Sequence, residues 1–302
     1  EAYDIWYDGF KPRSNLDEAK LDAQIQKLYP NAEAFKAGLP SLLTHLGFTP
    51  ERANEICDKI AVDAARGSGH AWGAAMKGQQ SHLRTRIPAE GMNYKGYNIA
   101  VHEFGHNVEQ TISMYNVDNF MMAGVPNTAF TEALAFVFQK RDLQLLGIEN
   151  NDPEKDKMDI LDKFWSLYEI MGVSMLDISI WEWLYANPNA TAEQLKEASI
   201  SLSKEIWNKY YAPVFGKKDE TVLAIYSHMI SYPLYLSAYA FGQIIEFQLE
   251  TYLNGKNFAQ EVDRIYRLGR LTPNEWMIQS KNKPSIHIKN SRRQNTSRLF
   301  SF

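Results

Sequence analysis

The run His102-Glu103-Phe104-Gly105-His106 constrains this chain more than any other feature. Two imidazoles four positions apart stand one above the other on a helix, so both can reach a single ion. Glu103 then falls beside them with its carboxylate free. With seven His in 302 residues, composition alone predicts only about 0.01 chance occurrences of H-E-x-x-H. The run is therefore read as the centre of a helix from Tyr97 to Met114.

A catalytic zinc takes three protein ligands and keeps a fourth position open. A third His in metzincin spacing is excluded, because His106 is followed by Asn107-Val108-Glu109-Gln110-Thr111-Ile112. Downstream, Glu132 is a single carboxylate within the apolar helical stretch Phe130 to Phe138, and an unpaired acid is costly to bury unless it coordinates something. Its alternative is a surface position, since Lys140 and Arg141 give that helix a wet end. The expectation is one Zn2+ held by His102, His106 and Glu132, with Glu103 as general base for a water activated by the metal, the chemistry of amide hydrolysis. Glu109, one turn after His106, is read either as an orienting partner for a ligand imidazole or as an exposed residue.

The rest of the chain reads as helices separated by short punctuation, so the fold class is mainly α. Helices are expected at Asn15–Leu28, Ala32–Leu46 and from Thr49 to Arg66, stopped by Gly67. The third opens with a cap, a first-turn Pro and an acid. Further helices are expected at about 127–147, 154–171, 174–186, 191–210, 220–230, 235–253 and 257–268. From Gly67 to Asn93, five glycines separate short segments, His70–Met76 and His82–Ile87, which form the one expected sheet, just before the motif helix. Residues 1–280 are read as one catalytic domain and 281–302 as a basic, disordered tail. That tail holds six Lys or Arg and no acid.

The segment from His228 through Tyr232, Tyr235 and Tyr239 to Gly242 is dense in hydrogen-bond donors of the kind a tetrahedral intermediate requires. Tyr235 and Tyr239 share a helix face, although a Tyr-rich helix also suits plain packing. Together, HEFGH, the downstream Glu132 and the His228/Tyr235/Tyr239/Gly242 spacing resemble the thimet oligopeptidase and oligoendopeptidase F family of zinc metallopeptidases. The resemblance runs from about Ala65 to Met277. It implies a zincin-like helical catalytic domain that cleaves short peptides internally. His228 and Tyr235 would stabilise the oxyanion, while Tyr232, Tyr239 and His70 would contact substrate, the last within a Gly69–Gly73 strand facing it. It also implies that an N-terminal helical lobe, one wall of the family's channel, is missing. A mainly α metallocarboxypeptidase and a non-catalytic, zinc-containing peptide-binding module remain the alternatives.

A formal charge of −4 over 302 residues points to neither nucleic acid nor an anionic membrane as partner. Cys57, the single cysteine, cannot form an internal disulfide and suits a reducing compartment. No signal peptide and no run of eighteen apolar residues is visible, so a cytoplasmic location is the expectation. Oligomeric state is left open.

Overall fold

The computed structural model of the chain describes residues 17–65, 69–148 and 153–281. The basic tail from 282 onward and the expected stop at Gly67 lie outside them. Three helices come first: α1 (Glu18–Leu28), α2 (Ala32–His45) and α3 (Pro50–Cys57). The cap read at Thr49 is formed, its side chain accepting from the Arg52 N–H.

The expected helix through Arg66 ends early, at Cys57. Residues Ile60–Ala65 instead form strand β1, which pairs in parallel with β3 (Ser81–Arg86), and β2 (His70–Trp72) adds antiparallel to the other side of β3. Locally, Ile-Ala-Val-Asp-Ala-Ala carries no break before Gly67, so nothing in the segment itself opposes a helix. Its strand state comes from a ladder to residues about twenty positions away, where tertiary pairing overrides local preference. The small sheet is where it was expected, but it has one more strand.

The motif helix α4 (Tyr94–Asn116) follows at once. Asn93 caps it by accepting from the Gly96 N–H. Tyr97, Ala100, Val101, Phe104, Val108 and Ile112 recur at helical spacing, are all buried, and seat the helix in the core. Next come α5 (Thr128–Gln139) and the single-turn α6 (Asp142–Leu145).

Two helices were expected between 154 and 186, and there is one, α7 (Lys155–Ala186). Gly172 reads as a break but acts as a notch. A Cβ there would stand 2.0 Å from the Tyr211 hydroxyl oxygen, which donates to the Tyr168 carbonyl of the same helix at 2.6 Å. Tyr211 follows α8 (Ala192–Tyr210), whose start carries a full capping box between Thr191 and Gln194. After α9 (Ala212–Phe215), the expected helix at 220–230 is instead a 3-10 turn, Val222–Ile225, and the four-residue α10 (His228–Ser231). The chain closes with α11 (Leu236–Leu253), α12 (Phe258–Tyr266) and α13 (Pro273–Lys281), the last not anticipated.

Two buried clusters result. One gathers α1 to α6, α12 and α13 around Phe104, Phe138 and Trp276. The other gathers α7 to α9 around Trp207 and Tyr211. Helix α11 belongs to both, with Leu236 in the second cluster and Leu249 and Leu253 in the first. It is also pinned by Lys163–Glu246 at 3.0 Å and by a two-pronged Arg141–Glu250 pair at 2.6 and 3.0 Å. Among the described residues, no helix is long and apolar enough to cross a membrane.

Candidate metal centre

Helices α4, α5 and α11 meet where the first cluster gives way to the second, and each contributes to one polar pocket. The close approach is made by glycines. A Cβ on Gly105 would lie 2.9 Å from Ala135 Cα, and one on Gly242 would lie 2.9 Å from Glu132 Cβ. Both distances are below what packed carbon atoms tolerate, so α5 can sit against α4 and α11 only because these positions lack a side chain.

His102, His106 and Glu132 each turn one ligand atom inward, and these atoms all lie within 4.8 Å of one another. Glu132 Oε2 stands 3.3 Å from His102 Nε2 and 3.7 Å from His106 Nε2. It is buried without a well-formed hydrogen bond to either. Burial alone would neutralise Glu132, but His106 and then His102 outweigh it and hold the carboxyl below its usual range. For His102, burial likewise opposes protonation, yet the neighbouring Glu132 carboxylate, and after it Glu103, raise the ring's pKa. His106 goes the other way, lowered by burial to about 4. Two imidazole nitrogens convergent with one orphaned, buried carboxylate oxygen fit a divalent ion that accepts mixed N and O donors. Those three residues could hold a metal.

Glu103 is buried beside them, and burial pushes its carboxyl up to about 7, with His102 lowering it, Glu132 raising it and the Ala71 N–H of β2 lowering it. The structure thus sets β2 over Glu103, with His70 and Trp72 as the flanking, exposed residues of that strand. At the N-cap of α11, Tyr235 donates its hydroxyl proton to Glu132 Oε1, a short contact, while Tyr239 Oη, within the helix, lies 3.3 Å from His228 Nε2. The His228 ring stands 6.1 Å from that of Tyr235, and the Tyr235 and Tyr239 rings are 5.4 Å apart. Burial, followed by His70, lowers the His228 pKa. Burial and Glu132 raise both tyrosines far above the usual phenol range. Tyr232 is exposed at the rim, its ring 6.2 Å from Tyr235.

Every site residue expected from the sequence therefore lies on or beside this pocket, but two partnerships differ. Glu109 is buried, as an orienting residue would be. However, it accepts from Thr131 Oγ1 at 2.8 Å rather than meeting His106, and so ties α4 to α5 one residue before Glu132. Tyr235 binds Glu132 rather than standing free for substrate. Sequence reasoning missed Gln139, whose Oε1 lies 3.0 Å from His102 Nδ1. It also missed Asp177, a buried carboxyl on α7 whose neighbours are the backbone N–H groups of Leu234 and Leu236, at the mouth of α11. Leu234 itself is left-handed, with φ 62°, a conformation that residues other than glycine adopt only under constraint.

The fold is that of proteins described as peptidases. Among solved structures, PZ peptidase A with an inhibitor matches at a TM-score of 0.59 and 16% identity, over 84% of this chain and 46% of its own. A Bacillus anthracis str. Ames protein assigned to oligoendopeptidase F matches at 0.55 and 14%, over 93% and 52%. A Chlamydophila abortus protein assigned as a peptidase matches at 0.51 and 16%, over 83% and 43%. The chain spans about half the length of these structures. No family model and no curated protein matches it.

Proposed function

We propose that the chain is the catalytic part of a zinc-dependent peptidase that hydrolyses internal bonds of short peptides. One observation carries this reading: ligand atoms of His102, His106 and Glu132, all within 4.8 Å of one another, converge beside the buried carboxyl of Glu103. A carboxyl held beside such a site is placed to take a proton in one step and return it in the next. Bound zinc supplies Lewis-acid polarisation of a carbonyl and lowers the pKa of water toward neutrality.

Around it, the chain's own residues have separable tasks. Glu103 receives the proton of the attacking water and delivers it to the leaving amine. His228 and Tyr239, 3.3 Å apart between Nε2 and Oη, offer one donor for the developing oxyanion, the Tyr239 hydroxyl when His228 Nε2–H donates to it, joined by Tyr235 if its hydroxyl turns from Glu132. The exposed His70 and Tyr232 contact the peptide on either side, and β2 lies along its path. The identity of the neighbours as peptidases supports the reaction class, and the resemblance in the motifs supports zinc and internal cleavage.

The test is zinc content measured together with cleavage of an internally quenched peptide. Glu103→Gln should keep the metal and lose hydrolysis, because it removes the base and spares all three ligands. Equal turnover in the variant and the parent would overturn the mechanism. Release of single C-terminal residues without internal cleavage would move the protein to the carboxypeptidases.

A further inference from the structure

Tyr94, Asn98, His102 and His106 follow one another at four-residue steps on α4 and so form a single row along it. The last two face the metal pocket. The first two face the end of α5 and the start of α6, where a continuous polar chain leads back to His102. Asp142, fully buried, accepts from the Leu143 N–H at 2.6 Å, from the Tyr94 hydroxyl at 2.7 Å and from Asn98 Nδ2 at 2.6 Å. Asn98 Oδ1 accepts from Gln139 Nε2 at 2.7 Å, and Gln139 Oε1 lies 3.0 Å from His102 Nδ1.

We infer that Asp142, Asn98 and Gln139 form a positioning relay that fixes His102 in the tautomer protonated on Nδ1 and leaves the Nε2 lone pair facing His106 and Glu132. The direction of the relay follows from what each group can do. A backbone N–H can only donate, and a carboxylate surrounded by donors can only accept, so Asn98 must turn its NH2 toward Asp142. Its oxygen then faces Gln139, which must turn its own NH2 that way. The remaining Gln139 oxygen accepts from His102, so the hydrogen of the neutral ring belongs on Nδ1. Neither amide can flip without setting donor against donor or oxygen against oxygen in a buried site, which leaves polar groups unpaired. Two amides thus carry the polarity of a buried acid to the His102 ring. This does for His102 what a directly bonded carboxylate does in many metal sites.

The tautomer lock stands on the hydrogen bond at Nδ1, set against Glu132 Oε2 at 3.3 Å from Nε2; its effect on metal affinity rests on the zinc site proposed above. The experiment reads the two separately. Nitrogen-15 shifts of the imidazoles, recorded on the metal-free full chain at a pH where the rings are neutral, report the tautomer. Competition with a fluorescent chelator reports zinc affinity. In the parent, His102 should carry its hydrogen on Nδ1. Gln139→Met, which keeps shape and removes both hydrogen bonds, should shift the ring toward the Nε2-protonated form and weaken zinc about tenfold or more. Gln139→Glu, which in its acid form keeps a donor toward Asn98 Oδ1 and an acceptor toward Nδ1, should restore the tautomer, a rescue that loss of packing would not give. If the neutral ring in the parent is protonated on Nε2, or if Gln139→Met leaves the tautomer unchanged, the relay is overturned. If the tautomer shifts as expected but the parent itself binds no zinc, the relay survives and the metal reading fails.

Discussion

At the scale of single residues, Tyr235 decides between two kinds of chemistry. Its spacing with Tyr239 suggests an oxyanion donor, and its hydroxyl in the structure is committed to Glu132. A hydroxyl that tethers a ligand carboxylate limits where that ligand can move, and loss of such a partner typically costs tenfold or more in metal affinity. Tyr235→Phe is therefore expected to weaken zinc binding about tenfold. Tyr239→Phe, whose hydroxyl meets His228 instead, should leave zinc affinity unchanged and lower turnover by about a hundredfold, the scale of one lost oxyanion donor. Steady-state kinetics on zinc-saturated protein, paired with metal titration, check both. A Tyr235→Phe variant with full zinc affinity and a hundredfold loss in turnover would return the oxyanion role to Tyr235.

Among the elements, α11 depends on its contact with α5. Gly242→Ala sets two effects against each other. Alanine is the better helix former by about 1 kcal/mol, but its Cβ would meet Glu132 Cβ at 2.9 Å, Ala129 O at 3.2 Å and Ala133 N at 3.3 Å. Two of those atoms are backbone and cannot swing aside, so α11 itself must move, and overpacking of this kind costs about 1–3 kcal/mol. Overpacking wins. The denaturant midpoint should fall, and zinc affinity should fall with it, because Tyr235 is carried away from Glu132. A midpoint equal to or above that of the parent would mean that α11 is held elsewhere, by the Lys163–Glu246 and Arg141–Glu250 pairs.

For the whole molecule, the candidate metal site lies at the junction of the two buried clusters, with α4 and α5 anchored in one and α11 spanning both. A ligand that binds only the folded state stabilises it by mass action, about 2.7 kcal/mol at a hundred times its dissociation constant. Zinc is therefore expected to raise the unfolding temperature and a chelator to lower it. Glu132→Ala should abolish most of the shift, since two imidazoles alone bind weakly. A shift of full size in that variant would remove Glu132 from the ligand set. The chain spans about half the length of the solved structures it resembles, and large apolar side chains such as Phe164, Phe241 and Phe247 stand exposed along α7 and α11.

What the sequence determined by itself was whatever repeats over a few residues. The four-residue step from His102 to His106, the Thr49 cap and the spacing of Tyr235, Tyr239 and Gly242 are set within one or two turns of chain, and the structure keeps them. The lone acid among apolar neighbours also marked Glu132 correctly as a buried residue, because burial of a charge demands a partner wherever the chain folds. Only the tertiary structure decided features whose cause lies far along the chain. Ile60–Ala65 is a strand because β3 offers it a ladder, and Gly172 sits inside a helix because Tyr211 fills the space beside it. Gln139, Asn98 and Asp142 acquire a direction because α5 and α6 are packed against α4. Local periodicity reports which face of an element is apolar, whereas which partner meets that face is settled only when distant segments compete for the same core.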